Sequence, residues 1–317
     1  MSLMDDAFDD ELKGRDDKQY DPSDAYIYPI DIGTWRTYDS VVLDEEQRQL
    51  QIDSLFPIAG LQVCGGELRF IYTKNIARYN DILESLSRDV RIEDTETVLE
   101  TEVYYTSKIE GARTTRQRTA ELHNGAPIDG NNRYSEYMVR NNFNAVRLLN
   151  LYGNRLSEDI LYRVWDVLTE NCRDNAHLAG MPYRSGTVYI GNHEGLDSSL
   201  IKPCMDKWIS FYNGKEFDEK PFIKAAILHY AFENIHPFCD GNGRLGRLLM
   251  NNYLISRGVE SCRAVSFSMQ IDGKRSLYDA AFVQSENALN DCTPFIEYML
   301  EVMADSYGTA LQVQQKA

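Results

Sequence analysis

Twelve consecutive residues, His236-Pro237-Phe238-Cys239-Asp240-Gly241-Asn242-Gly243-Arg244-Leu245-Gly246-Arg247, limit what this chain can fold into more than any other stretch. Apolar helix patterns flank them, Phe222 to Phe232 before and Leu248 to Ile255 after. Pro237 disfavours helix at His236, so the first helix should stop there. Asp240 to Gly243 are turn formers, and a second helix should start near Gly243. A glycine-rich loop running into a helix N-terminus offers N–H donors and a dipole that both favour an anion. Arg244 and Arg247 share one face of the first turn, which suits a polyphosphate. Asp240 is the hard oxygen ligand that a phosphate-bound Mg²⁺ would use. His236, at the end of the first helix, is placed to take a proton from a nucleophile. Base, metal ligand and phosphate cradle together point to nucleotidyl or phosphoryl transfer.

The stretch resembles the signature loop of the Fic family, H-P-F-x-[D/E]-G-N-G-R-x-x-R, at every specified position. Upstream, Thr106-Ser107-Lys108-Ile109-Glu110-Gly111 is similar to that family's inhibitory motif, [S/T]-x-x-x-E-[G/N], in the class with an N-terminal inhibitory helix. The likeness covers roughly residues 95 to 290. It implies a mainly α chain: a Fic-type helical bundle with a small β-hairpin flap and an N-terminal extension. It also implies AMP transfer from ATP to a Ser, Thr or Tyr hydroxyl of a target protein, with His236 as base and Asp240 on Mg²⁺. By the same likeness Gly241, Asn242 and Gly243 form the anion nest, and Arg244 and Arg247 hold phosphates. Thr106, Glu110 and Gly111 belong to the inhibitory segment, with Glu110 pairing Arg247 at rest. Asn251 and Tyr278 fall where residues of the nucleotide pocket occur. Thr187, Val188, Tyr189 and Ile190 read as the flap, which would hold a target backbone by strand addition.

The formal charge of −16 argues against a nucleic-acid groove, which needs a basic face. Six cysteines without a C-x-x-C pair read as reduced thiols in a cytoplasmic protein. Cys239 has no second histidine beside it in sequence, which argues against a cysteine nucleophile. No apolar run approaches the roughly 18 residues of a membrane span, and no signal peptide is visible. His123, His177 and His193 have no carboxylate or cysteine at metal spacing.

Along the chain, residues 1 to about 25 read as disordered, Tyr26 to Trp35 as an irregular strap and Asp44 to Leu55 as a short helix. Leu61 to Tyr72, centred on Gly65-Gly66, suggests a hairpin, and Lys74 to Leu86 a helix. Helices are expected over Thr95 to Gly111, Ser135 to Leu151, Ser157 to Leu168, Leu200 to Tyr212 and Pro221 to Ile235. Lys274 to Asn287 and Pro294 to Tyr307 follow them, and Arg113 to Arg133 reads as a long loop. The division expected is an arm and extension over 1–94, a core over 95–290 and a C-terminal helix over 291–317. Alternatives to AMP transfer are removal of AMP by way of Glu110, another nucleotide or phosphocholine donor, kinase-like transfer, and a nucleotide sensor with little chemistry. Self-modification and a homodimer are compatible with the resemblance.

Overall fold

The computed structural model describes residues 56–63, 66–172, 183–190, 193–287 and 291–316. The expected disordered start, the strap and the Asp44 to Leu55 helix lie outside them. Strands β1 (Phe56–Val63) and β2 (Gly66–Phe70) form the expected antiparallel hairpin, with Val63 opposite Gly66 and Phe56 opposite Phe70. β1 begins five residues earlier than expected, because Ile58 and Leu61 bury their side chains in the main core together with Leu68 and Phe70. Helix α1 (Lys74–Asp89) starts where the Thr73 hydroxyl accepts the Ile76 N–H.

Helix α2 (Thr95–Ile109) lays Val103 into a small cluster with Leu122, Val139 and Phe143. The long loop expected over 113–133 is corrected by the structure: Arg116–His123 is a helix, α3, and Gly130–Asn132 a short 3-10 turn. Only Thr119 and Leu122 of α3 are buried, so no apolar period announces it. Thr115 caps it, and Arg118 forks onto both oxygens of Glu136, at 2.8 Å each. That anchor comes from another helix, eighteen positions on.

Helices α4 (Arg133–Tyr152) and α5 (Glu158–Thr169) pack as a pair; Ser157 caps α5 as expected. A two-residue strand, β3 (Tyr189–Ile190), pairs antiparallel with β4 (His193–Glu194). Thr187 and Val188, expected in the same strand, precede it. Helices α6 (Ser198–Asn213), α7 (Pro221–Ile235) and α8 (Asn242–Ser256) follow, with Pro221 in the tolerated first turn of α7. α7 is buried nearly all round and forms the axis on which α6, α8 and β1 pack. Gly258, at φ +85°, ends α8 in the left-handed region that glycine adopts freely.

Beyond it, a 3-10 turn (Glu260–Ala264) and a helix not expected from the sequence, α9 (Phe267–Gly273), lead into α10 (Arg275–Asn287). Helix α11 (Thr293–Lys316) runs past Gly308 and packs along α1, α7 and α10. The chain is thus mainly helical, with eleven α-helices and two small hairpins among the described residues. No helix of the described residues is long and apolar enough to cross a membrane.

Candidate active site

The twelve-residue stretch joins α7 to α8 as expected. His236 caps α7 in the left-handed conformation, φ +49°, with its N–H on the Phe232 carbonyl at 3.0 Å. Phe238 is buried beneath the loop and stacks on Trp165, ring centroids 4.6 Å apart. Trp165 also donates its indole N–H to the Asp240 carbonyl at 2.9 Å. The Asn242 side chain is consumed by the loop itself. Its Oδ1 accepts from the Phe238 N–H (3.0 Å) and its Nδ2 donates to the Phe238 carbonyl (2.7 Å). Only its backbone N–H is therefore available to an anion. Gly241 takes φ +83°, and a Cβ there would stand 2.8 Å from the Thr169 methyl, so glycine is required twice over. α8 begins at Asn242, one residue earlier than expected, and its first-turn N–H groups face out of the helix end.

Arg244 and Arg247 are both buried on the first turns of α8. Arg244 reaches the Asp240 carboxylate at 3.3 Å and the Leu168 carbonyl at 3.4 Å, while its Nε has no hydrogen-bond partner among the described residues. Arg247 donates Nε to the Thr106 hydroxyl (2.8 Å) and Nη2 to Glu110 Oε1 (2.7 Å) and the Thr106 carbonyl (3.3 Å). Glu110 follows the last residue of α2, and Gly111 turns the chain away at φ +85°. Glu110 Oε1 sits where a side chain of Gly243 would begin, 2.3 Å from an ideal Cβ. Burial pushes the Glu110 carboxyl up, but the charge and hydrogen bond of Arg247, with Arg244 and Arg275 beyond, outweigh it. Its pKa stands below the ordinary 4.5.

Burial also pushes the His236 imidazole below the ordinary 6.5, so it is neutral at pH 7. Its Nδ1 lies 3.3 Å from the Glu233 carbonyl, an acceptor only, so Nδ1 carries the proton and Nε2 keeps its lone pair. Asp240 keeps 38% of its side-chain surface; one oxygen accepts the Gly241 N–H at 2.7 Å. A single carboxylate of this kind suits Mg²⁺ that takes its other ligands from phosphate and water. Among the described residues no group of three or more His, Cys, Asp or Glu gathers at metal-binding distance. Cys239 is exposed and its thiol is pushed up by partial burial, the opposite of an activated nucleophile.

Asn251 and Tyr278 are not brought together. Asn251 lines a cavity of about 350 Å³ between α2, α4 and α8, into which Arg244 and Thr106 also face. Tyr278 is outside that lining, buried against Phe282 and Phe295 with its hydroxyl on His229 Nε2 at 2.8 Å. Two residues that shape the loop were not expected from the sequence. Trp165 reads there as one more member of the α5 apolar stripe, and Arg184 lies in a stretch without period.

Residues 155–254 match the Fic/DOC family model. The chain carries a Fic domain. The matched span takes in α5, the β3–β4 hairpin, α6, α7, the loop and most of α8. Curated relatives named protein adenylyltransferase Fic include one from Aedes aegypti, 32% identical over 125 residues, which is 39% of this chain and 23% of the relative. Another, from Drosophila ananassae, is 29% identical over 163 residues, 49% of this chain and 32% of the relative. The chain thus spans less than a third of the length of these Fic relatives. Among solved structures, a Fic family protein from Desulfovibrio desulfuricans superposes with a TM-score of 0.68 at 20% identity, covering 78% of this chain and 77% of its own. Fic-1 from C. elegans gives 0.59 at 22% identity, covering 77% and 72%. These likenesses carry the fold; the chemistry rests on the loop.

Proposed function

We propose that the chain is an adenylyltransferase that moves AMP from ATP to a hydroxyl of a target protein and is held at rest by Glu110. The observation that carries this reading is the 2.7 Å pair between Glu110 and Arg247, formed inside the loop built to hold phosphates. The names of the curated relatives support the transfer reading.

His236 Nε2 accepts the proton of the target hydroxyl while that oxygen attacks the α-phosphorus. The bond from the α-phosphorus to the bridging oxygen breaks, and pyrophosphate leaves. The first-turn N–H groups of α8 and the unpartnered Arg244 Nε hold the phosphate oxygens, so positioning and charge neutralisation carry the step. Asp240 would hold Mg²⁺, which neutralises phosphate charge when bound. Glu110 blocks the reaction because it occupies Arg247 and brings negative charge to the place the terminal phosphate needs.

The catalytic unit assigned here is 95–290, framed by the extension and the C-terminal helix. Five free cysteines among the described residues suit a cytoplasmic setting.

The test is label transfer from α-labelled ATP with Mg²⁺, for wild type, Glu110→Gly and His236→Ala, with and without a host lysate. Glu110→Gly should raise labelling on the order of tenfold or more, a tenfold gain per ~1.4 kcal/mol of lost docking. His236→Ala in that background should lower it on the order of 10²–10⁴-fold, the scale of general-base catalysis. Equal labelling in wild type and Glu110→Gly would remove the inhibitory role. No label in any sample, with ATP still bound, would favour AMP removal, which uses the same carboxylate.

A further inference from the structure

The left-handed backbone of His236 needs an explanation. It is one of four non-glycine residues with positive φ among those described, and such a conformation is unfavourable for an L-residue unless neighbours hold it. The neighbour is Arg184, buried at 3% exposure just ahead of the β3–β4 hairpin. Its backbone N–H donates to the Pro237 carbonyl at 2.9 Å, and its Nε donates to the His236 carbonyl at 2.7 Å. The other arms of the same guanidinium close the foot of the hairpin. Nη1 donates to the Gly186 carbonyl before β3 (2.7 Å), and Nη2 to the Leu196 carbonyl after β4 (2.6 Å) and to Ile235 in the last turn of α7 (3.4 Å).

The foot is compact enough to transmit position. The Gly195 N–H donates to the Val188 carbonyl at 2.8 Å, and a Cβ on Gly195 would stand 2.9 Å from Val188 Cγ2 and 3.4 Å from Arg184 Nη2. One planar cation therefore satisfies four carbonyls that belong to two separate pieces, the hairpin foot and the junction of α7 with the loop. Lysine, with one nitrogen, could serve one piece or the other but not the fork.

We propose that Arg184 is a positioning residue: it locks His236 in its left-handed conformation and ties that base rigidly to the hairpin edge on which a target backbone is laid. This rests on the AMP-transfer reading given above. Arg184 touches neither phosphate nor target. It acts through the His236 carbonyl and the hairpin foot, so that base and acceptor hydroxyl meet in one register. Its charge also helps to hold the imidazole neutral, in the same direction as burial.

The experiment compares Arg184→Lys and Arg184→Ala in the Glu110→Gly background, using the whole chain with Mg²⁺ and ATP. ATP affinity by calorimetry should stay close to that of the parent, because Gly241 to Arg247 are untouched. The turnover number for AMP transfer should fall on the order of 100-fold, the scale of a 1 Å misplacement of reacting groups. Guanidinium ion added to Arg184→Ala should restore part of the loss. Two readouts do not depend on transfer. The His236 imidazole, followed by NMR, should titrate at higher pH in Arg184→Ala, which removes the charge, and amide exchange in residues 187–196 should quicken in both variants. If Glu110→Gly transfers no AMP, these two still decide the positioning role, while the AMP-transfer reading falls separately. A folded Arg184→Lys with parental turnover and exchange would overturn the proposal. So would a loss of ATP binding in step with turnover, which would make Arg184 merely part of the fold. Should Arg184→Ala fail to fold, Arg184→Lys carries the test alone.

Discussion

On the proposed reading, Arg247 has two sets of partners that exclude each other. In the structure its Nε is committed to the Thr106 hydroxyl and its Nη2 to Glu110, both from the end of α2. A terminal phosphate would need the same donors. Thr106 is the less obvious half of the lock, since a buried hydroxyl ordinarily reads as a helix residue bonding its own backbone. Thr106→Val keeps the shape and removes the acceptor, leaving the buried Nε–H unpaired at a cost of about 1–3 kcal/mol. The cost falls on the docked form, where Thr106 meets the guanidinium. Basal labelling by Thr106→Val should therefore rise roughly tenfold toward the Glu110→Gly level. A variant as silent as wild type would show that Glu110 alone makes the lock.

At the scale of elements, the proposed lock is only as firm as the docking of α2. Val103 supplies its apolar anchor, and Glu102 supplies a polar one on the neighbouring face. The Glu102 carboxylate accepts from the Ser266 hydroxyl at 2.7 Å and from the Ser268 N–H at 3.0 Å, which caps α9 from outside. Lys108 adds an ion pair to Asp272 of α9 at 2.7 Å, half-exposed and correspondingly weak. Glu102→Ala leaves these donors unpaired and should loosen α2 without touching the loop. Hydrogen exchange over 98–109 should quicken, and basal labelling should rise. Unchanged exchange would show that packing of Val103 alone keeps α2 in place.

Much of this arrangement was legible beforehand, because the loop and the α2 terminus are local. Pro237, the glycines and the Thr106–Glu110 spacing each fix backbone within a few residues. The fork of Arg118 onto Glu136 that holds α3, and the Glu102 carboxylate that caps α9 at Ser266 and Ser268, depend on partners outside each helix. No short window of sequence contains either pair. Asn242 shows the limit within the loop itself: its place was legible, but not that its side chain turns inward to Phe238.

For the molecule as a whole, the seam between α7 and α8 carries a buried acid with a consequence for stability. Glu233 Oε1 lies 2.3 Å from where a Cβ of Gly246 would be and 3.9 Å from His229 Nδ1, with no hydrogen-bond partner within the described residues. Burial pushes its carboxyl up to about 8, with Glu110 adding to the rise and Arg247 and Arg275 opposing it. The folded chain therefore holds a proton on Glu233 that the unfolded chain releases near the ordinary 4.5. Stability from this group is complete below that value and is lost as pH rises toward 8. His229 has the opposite sense: burial holds it neutral down to about 3, so its contribution grows only until pH passes 6.5. His236, also depressed, behaves alike. Between pH 6.5 and 8 any histidine contribution is shared with Glu233→Gln, so the difference between the two proteins isolates the slope of Glu233. It can reach about 1.4 kcal/mol per pH unit, or roughly 1–2 kcal/mol over the interval. Urea midpoints of wild type should fall across that range relative to those of Glu233→Gln, neutral at every pH. Parallel profiles for the two proteins would mean that Glu233 is ionised in the fold, paired with Arg247 across the seam in place of a proton.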